Sequence, residues 1–445
     1  MGFYNGLCML IGSRALILRR LLQVVLAVSS VGPALVARSS GQTAGASSVD
    51  VPTAPETPQA KAKPLFSREG LWISKKDNST AVRVHGYLQA DGRFFVTNLK
   101  DQPHEGFLFR RVRPLVEGKL ANFLDFRFMP DFGEGNTVIQ EVYVENGSIP
   151  FAKLRAGKFK TPMGLEVLRS DRELTFAERS LASDLVPLRD LGIQAQGSIL
   201  HSGISYEFGF FSGIGDGTNA KFQWKGTHEE VARVMARPFA ASSAAPVNQL
   251  GVGIAFSDGH NHGKLPSLKT VGQQTFFSYS PQTVSIGRHR RIAPQADYFY
   301  RTLGVLAEYA ISSQDVSAGS GHRSLSNTGW QVAGSVALTG EKNSYDGFQP
   351  AHNLEFGHGT HHWGAWEFVA RHSEVNIDSH AFPQFAAIGK SANGAHESAA
   401  GISWYLNRMT KLLSDYEYTT FPQRGGNTTH LPIERVMMTR VQLTF

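Results

Sequence analysis

Apolar and polar residues alternate one by one along many short segments of the chain. In the segment VRVHGYLQA, residues 82–90, Val82 and Val84 fall on one face, and charged or polar residues fall on the other. The final segment, RVQLTF, repeats the pattern with Val441 and Leu443 on its apolar face. A period of two residues is typical of a β-strand with one apolar and one polar face. The pattern therefore predicts strands up to the last residue.

Segments of this kind, each about ten residues long, recur from residue 81 to residue 445. No stretch of comparable length in this region has the period of a helix, and no apolar run there approaches the ~20 residues of a transmembrane helix. A chain of this length would usually suggest about two or three domains. The only linker-like composition, however, lies before residue 65. We therefore predict one large all-β domain over residues 81–445.

The composition of the two faces separates a membrane barrel from a soluble sandwich, which shows the same alternation. The polar face carries Gln, Arg, Asp and Glu, whereas the apolar face is rich in Gly, Ala, Val and Phe. Aromatic residues lie near predicted strand ends, among them Tyr143, Trp330, Trp366 and Tyr405. A wet lumen, an apolar outer band and ring closure are the features of outer-membrane barrels. We predict a closed antiparallel transmembrane β-barrel.

The last strand has a special position in such a ring. A terminal strand frays unless a sheet holds it, and in a closed barrel it pairs with the first strand, so that no edge is left. We expect Phe445 to lie at this junction, to face the lipid and to contribute to closure of the barrel.

The start of the chain has the features of an export signal. Arginines precede the apolar run LLQVVLAVSSVGPALVA within residues 1–46, an order typical of a secretory signal peptide. Cleavage after Ala37 or after Ala46 fits the small residues there, and residues 47–80 would then form a periplasmic spacer and N-terminal segment. A membrane-anchoring helix is the alternative, although Pro33 shortens the run to near the lower limit for spanning.

Removal of this leader changes the charge balance. The leader contains four arginines and no acidic residue, so the 44 basic residues fall to 40, against 37 acidic ones. Nucleic-acid binding needs a concentrated basic patch, and we therefore predict no nucleic-acid partner. Cys8, the only cysteine, also lies in the leader. The exported chain would then rely on backbone pairing and packing, without disulfides or thiol chemistry.

Several long segments resemble the phosphate-selective porin O and P family of bacterial outer membranes. In chain order they are GKFKTPMGLE (157–166), LTFAERSLASDLVPLRDLGIQ (174–194), YEFGFFSGIGDG (206–217), GQQTFFSY (272–279), WEFVARHSEVNID (366–378) and GISWYLNRMTKLLSDYEYTTF (401–421). The resemblance covers most of residues 86–445. It implies a trimeric, 16-stranded channel in the outer-membrane lipid, anion-selective for phosphate or polyphosphate, and not an enzyme.

The strand pattern itself gives sixteen or seventeen candidates. GQQTFFSY is the doubtful one, and we predict sixteen because bacterial single-chain barrels have even strand numbers and because this segment follows the turn-rich GHNHGKLPS. The longest interruption among the early strands lies between Lys160 and Leu191, with a short helix predicted over residues 172–181. Insertions of this length are usually functional. In porins generally the corresponding loop narrows the pore, and we expect an inward-folded constriction loop here.

Adjacent arginines are the first candidates for anion binding. Arg110 and Arg111, in FLFRRVRPLVEG, match by position the paired arginines that family members place near the constriction. By strand parity Arg111 and Arg113 face the lumen, whereas Arg110 falls on the lipid side unless it lies near the strand end. Planar guanidinium donors suit phosphate oxygens. Alternatively, these arginines only pair with lumen acids, such as Glu117, Asp125, Asp131, Glu141 and Glu145.

Parity directs further basic residues into the lumen. Lys119 and Arg127 are included among the predicted anion-binding residues. Near Gly157 the alternation slips, and a bulge there would turn Lys158 and Lys160 towards the pore. Such a track could hand anions from site to site, but inward acids leave no clear positive excess, so general diffusion or an organic-anion substrate stays open. The other inward basic residues are Arg83, Lys153, Arg155, Arg233, Arg237, Arg371 and Arg440.

Histidines and serines offer two further kinds of site. Imidazole is a common metal ligand, but no cysteine accompanies the clustered histidines, and glycine-rich loops usually hold solvated polar residues. We therefore predict no metal site and no cofactor. An enzyme or an adhesin is the remaining alternative, although His201 and Ser202 lack the spacing of a catalytic triad. The clustered histidines are His260, His262, His358, His361 and His362.

Overall fold

The computed structural model describes most of the predicted barrel domain. The described residues are 70–75, 79–96, 105–149, 151–199, 203–213, 227–240, 242, 246–357, 360–423 and 430–445. The predicted leader and its two cleavage positions lie outside them, as do His201, Ser202 and His358.

Sixteen long strands form one closed antiparallel ring. Each strand pairs with the next along the chain. The strands are β2 (Ala81–Phe95), β3 (Gly106–Leu120), β4 (Leu124–Asp131), β5 (Val138–Asn146), β6 (Lys153–Lys160), β7 (Arg189–Ile199), β8 (Ile204–Phe211), β9 (His228–Ala236), β10 (Leu250–Lys264), β13 (Val284–Tyr300), β14 (Leu303–Ala318), β15 (Gly321–Ala337), β18 (Ala365–Asn376), β19 (Gly394–Tyr405), β20 (Thr410–Thr420) and β21 (Glu434–Thr444).

The remaining elements are short. Five further strands are β1 (Leu71–Ser74), β11 (Leu268–Lys269), β12 (Thr275–Phe277), β16 (Leu354–Gly357) and β17 (Thr360–Trp363). Among the residues that the structure describes, helical structure is limited to α1 (Leu165–Leu168) and to 3-10 turns at Gly133–Gly135, Leu181–Leu185, Val247–Gln249 and Ser379–Ala381. No helix in the described part of the chain is long and apolar enough to cross a membrane.

The ring closes between β21 and β2. Their register runs from Tyr87 opposite Thr444 to Phe95 opposite Val436. Beyond it, the Gly86 amide donates to the Phe445 carbonyl at 2.7 Å, and the Phe445 amide donates to the Gly86 carbonyl at 3.0 Å. The predicted closed barrel and its strand number are confirmed. GQQTFFSY contributes only β12, which pairs with β11 outside the ring.

Strand parity separates an outer from an inner surface as the sequence pattern predicts. On β21, Arg440 and Gln442 are buried on the inside, whereas Leu443 is 41% exposed on the outside. Large exposed apolar side chains continue around the outer surface, as expected for contact with lipid. The aromatic residues follow the prediction in part. Trp366 and Tyr405 lie at the ends of β18 and β19, but Tyr143 and Trp330 lie within β5 and β15.

The short strand β1 lies within the predicted N-terminal segment. It pairs with Ala81–Val84 of β2, next to the point where β21 stops pairing with β2. The edge of β2 that β21 leaves free is thus covered over four residues by an earlier part of the chain.

Loops fold into the barrel from the end that carries most of the long connections. Residues 161–188, 265–283 and 377–393 share one apolar cluster with the inner wall of β14, β15, β18 and β19. Leu181, Leu185, Phe276, Phe277 and Phe385 are each no more than 5% exposed in this cluster. The inward-folded constriction loop predicted between β6 and β7 is therefore present, and we call residues 161–188 the constriction segment.

The helix predicted over residues 172–181 is wrong. Helical residues instead occupy the two flanks, at α1 and at Leu181–Leu185. Between these flanks, side chains of the barrel wall form hydrogen bonds with backbone amides and carbonyls that a helix would pair internally. Lys411 donates to the carbonyls of Arg172 and Leu174 at 3.3 and 3.0 Å, and the Ala177 amide donates to Asp415 at 2.7 Å.

Deletion of Phe445, or Phe445→Asp, should reduce the amount of folded barrel in the outer membrane while export continues. Either change disturbs the last backbone pair of the closure, and Asp also places a charge on the lipid side. The measurement is the unheated, fast-migrating form in membrane fractions. Leu443→Ala, one outward position earlier, is the matched control with a smaller loss. Wild-type levels of folded barrel without Phe445 would contradict this role.

Candidate functional site

A cavity of about 700 Å³ lies between the inner wall at β3 and the constriction segment. Five arginines line it: Arg110, Arg111 and Arg113 from β3, and Arg179 and Arg189 from the segment and the start of β7. Asp131, Glu134, Asp171, Glu178 and Asp184 line the same cavity. The site is thus rich in guanidinium groups but carries an equal number of carboxylates.

A β-bulge turns Arg110 into this cavity. Gln89 pairs with Arg111, but the next residue, Ala90, pairs with Phe109, so Arg110 is the extra residue of β3. The parity expectation that Arg110 faces lipid is therefore wrong, because a bulge changes the side on which a residue points. The backbone at Gly133 approaches this position so closely that a side chain there would meet the Arg110 carbonyl at 2.5 Å.

Arg110 and Arg111 bind one carboxylate of the constriction segment. The Glu178 oxygens lie 2.5 Å from Arg110 Nε and 3.5 Å from Arg111 Nη2, and Arg111 also donates to Gln89 at 2.8 Å. Burial raises the pKa of Glu178, but the charges of Arg110 and Arg111 outweigh burial and hold that pKa below its usual range. Glu178 is therefore an anion inside the lumen.

Asp171 is the second anchor of the segment. Arg113, Arg179 and Arg189 all contact its carboxylate, the last at 3.1 Å. Arg113 also binds Asp131 at 2.6 Å. Burial raises the pKa of Asp171, but Arg179, Arg113, Lys160 and Arg189 together hold that pKa well below its usual value. Through Asp171, Arg113 and Arg189 thus tie the segment to β3 and β7, and Arg179 adds a contact within the segment.

Contacts with the opposite wall complete the attachment of the segment. Glu308 of β14 accepts from the Leu165 amide at 2.7 Å. Glu166 lies 3.6 Å from Arg371 of β18 and accepts from the Ser180 amide at 2.9 Å. The segment therefore crosses the lumen and is held on both sides, as a pore constriction requires.

Lys158 and Lys160 do not reach the pore through a bulge in β6. The pairing of β6 with β5 and with β7 runs without a register shift, so the bulge expected near Gly157 is absent. The irregularity lies instead between β4 and β5, next to Ile139. Lys158 donates to the Ile139 carbonyl at 2.8 Å. Lys160 donates to the Arg169 carbonyl at 2.6 Å and so supports the constriction segment.

The other predicted basic residues lie along the wall and do not line the cavity. Lys119 is 48% exposed near the β3–β4 turn, 3.9 Å from Asp125. Arg127 is paired with Glu117 at 2.7 Å and with Glu141 at 3.2 Å. Several residues of the predicted track are likewise paired, namely Arg83, Arg155, Arg233, Arg237, Arg371 and Arg440. Pairing with lumen acids, the alternative reading, thus applies to most of them.

The sequence reasoning missed Asp171, Glu178, Arg179 and Arg189. A signal was available, because nine of the residues from position 169 to position 190 are charged, an unusual density for a loop expected to lie inside a barrel. The sequence could not show which of these charges meet β3.

The histidine clusters do not form a metal site within the described residues. No group of three or more His, Cys, Asp or Glu side chains there could hold a metal ion. His260 and His262 lie on β10 and His361 and His362 on β17, in strands and not in the loops that we expected. His260 stacks on His228, with ring centroids 5.2 Å apart.

Comparison with known families matches these features. The family model described as phosphate-selective porin O and P matches residues 82–445. The chain belongs to this family. The family identification made from the sequence motifs is thereby confirmed. No curated protein sequence matches the porin.

Solved structures with the same fold are outer-membrane proteins. The channel DcaP of Acinetobacter baumannii superposes on the porin with a TM-score of 0.54 and 7% identity, over 84% of this chain and 99% of that chain. An anion-selective porin from Comamonas acidovorans superposes with a TM-score of 0.52 and 11% identity, over 82% of this chain and 100% of that chain. OmpF of Salmonella typhi in complex with daunomycin superposes with a TM-score of 0.52 and 10% identity, over 84% of this chain and 100% of that chain. These identities support the fold alone. Family and fold together place the porin in the bacterial outer membrane.

Asp171→Asn should loosen the constriction segment. The change leaves three guanidinium groups without their shared anion, and breaking a buried ion pair from one side costs about 3–5 kcal/mol. We expect noisier single-channel currents, a conductance larger by roughly twofold as the segment leaves the lumen, and a lower temperature for loss of the unheated form. Asp125→Asn, which removes an exposed partner of Lys119, is the control. Identical current traces for Asp171→Asn and wild type would show that Asp171 does not hold the segment.

Proposed function

We propose that the porin is a passive channel for small anions, with phosphate or polyphosphate as its solute. The observation that carries this proposal is the group of five arginines around the cavity beside the constriction segment. Guanidinium groups stay charged at all physiological pH values and present planar donors that match phosphate oxygens. The description of the family as phosphate-selective and the anion selectivity of the Comamonas acidovorans porin support the same direction.

General diffusion, or transport of an organic anion, is the second candidate. The observation that favours it is the pairing of each of the five arginines with a carboxylate. Paired charges attract a distant anion less than free ones do. A barrel enzyme or an adhesin receives no comparable support from the described residues.

We further propose that residues 1–46 direct export and that residues 47–80 precede the barrel on the periplasmic side. Outward apolar residues would contact outer-membrane lipid. Three barrels would associate into a homotrimer, as the solved trimer form of OmpT from Vibrio cholerae illustrates for this fold.

In a planar bilayer under a salt gradient, the reversal potential should favour anions, and phosphate should inhibit chloride current. Arg111→Glu should weaken both effects, with about tenfold more phosphate needed for the same inhibition, because charge-assisted hydrogen bonds to the oxyanion are lost. Arg110→Glu should act in the same direction, since the bulge turns Arg110 inwards.

Lys119→Glu is the control for these variants, because Lys119 is exposed at the far end of β3 and its field is screened by salt. A wild-type reversal potential that favours cations would contradict an anion channel. Anion preference without phosphate inhibition would leave the channel function and remove phosphate as its solute.

Native mass spectrometry of the detergent-solubilised porin should give the mass of three chains. Each copy can pack part of its apolar outer wall against the next copy, and a threefold rotation closes the ring of three. A monomer under conditions that preserve the folded barrel would remove the trimer from the proposal.

A further inference from the structure

Four guanidinium groups converge on the carboxylate of Glu178. Beyond the Arg110 and Arg111 contacts, Arg93 of β2 lies 3.6 Å and Arg440 of β21 lies 3.8 Å from its oxygens. The four arginines come from three adjacent strands at the point where the barrel closes. Each of them is also buried or half-buried, with between 2% and 19% of the side chain exposed.

This cluster offers more donors than one carboxylate can accept. Glu178 has two oxygens, and Arg440 is already bound to Asp91 through contacts of 2.7 and 2.6 Å. Within the described residues, Arg93 Nε, Arg93 Nη2 and Arg111 Nε are buried without any hydrogen-bond partner. Buried donors are rarely left without a hydrogen bond, because each unsatisfied donor destabilises the fold by about 1–3 kcal/mol. The cluster therefore suits an anion with more acceptor oxygens than a carboxylate has.

The constriction segment has attachments to the wall besides the Glu178 side chain. Arg371 donates to the backbone carbonyl of Glu178 at 2.9 Å, and the preceding amide, of Ala177, is bound to Asp415. Glu166 pairs with Arg371 of β18, and Asp171 pairs with Arg189 of β7. The carboxylate of Glu178 is thus free to exchange its partners while the backbone stays in place. Arg110, Arg111 and Glu178 also line the cavity, so a solute can reach them.

We propose that Glu178 occupies a tetrahedral-oxyanion site formed by Arg93, Arg110, Arg111 and Arg440, as a built-in competitor of the permeating anion. This inference rests on the proposed anion channel and adds its regulation. A phosphate entering from the cavity displaces the carboxylate, gains the unpaired donors, and is released when Glu178 returns. The competitor keeps the binding weak enough for transport, since a channel site must release its ion as readily as it binds it.

Glu178→Gln in planar bilayers tests the proposal. The amide has the same shape but no charge, so phosphate should inhibit chloride current at about one tenth of the wild-type concentration. Glu134→Gln is the matched control, because Glu134 also pairs with Arg110, at 3.3 Å, but is 45% exposed and, within the described residues, pairs with none of the other three arginines. It should shift the inhibitory concentration less than about twofold.

The outcomes separate this inference from the proposed function. Unchanged phosphate inhibition in Glu178→Gln, with anion preference retained in wild type, would overturn the competitor role and leave the anion channel intact. Cation preference in wild type would overturn both. If Glu178→Gln does not give the unheated folded form, Glu178→Asp carries the test. Its shorter side chain draws the carboxylate away from the arginines, so the inhibitory concentration should fall, and no fall would overturn the proposal.

Discussion

The pairing of β2 with β21 is the contact on which the rest of the barrel depends. Hydrocarbon offers no partner to a backbone amide or carbonyl, and each unsatisfied group costs several kcal/mol there. A ring without an edge meets this constraint, and the two backbone hydrogen bonds between Gly86 and Phe445 extend it to the last residue. Closure also fixes which residues face inwards, so that charged side chains from several strands share one enclosed lumen. It brings Arg93 and Arg440, from opposite ends of the chain, to the same place.

Inside the lumen, ion pairs determine the shape of the passage. The constriction segment carries Asp171 and Glu178 on one side, and wall arginines hold both. Glu308 and Asp415 hold its backbone on the other side. Desolvated charges are costly unless they are paired, so the segment and the wall stabilise each other's charges. Under the proposed function, the same pairing confines anion binding to places where donors exceed acceptors, as they do around Glu178.

The strand pattern could predict the ring and the inward direction of Arg111 and Arg113, and the even strand numbers of bacterial barrels were needed to choose sixteen strands over seventeen. It could not predict the direction of Arg110, because a bulge depends on the register of the neighbouring strand and not on local alternation. The same limit applies to Lys158, whose environment is set by an irregularity between β4 and β5. The predicted helix over residues 172–181 failed because distant wall residues, Lys411 and Asp415, bind that backbone.

Most contacts of the candidate site join residues that are far apart in the sequence. The two carboxylate partners of the Arg113 side chain, Asp131 and Asp171, are 18 and 58 residues away. Residue type, parity and the family resemblance together identified the arginines of β3, but only the fold identifies the carboxylates that hold them. The contact between Arg440 and Glu178 is another contact between residues distant in the sequence. It forms only because the barrel closes and the constriction segment folds inwards.

Thiol modification at Ser183 tests whether the constriction segment narrows a passage for anions. Ser183 lines the arginine cavity, and Cys8 is the only native cysteine, so Ser183→Cys with Cys8→Ser provides a single reporter. We expect a negatively charged methanethiosulfonate to react faster than a positively charged one of similar size, and either adduct to reduce the current. Modification that leaves the current unchanged, or faster reaction with the cationic reagent, would contradict the account.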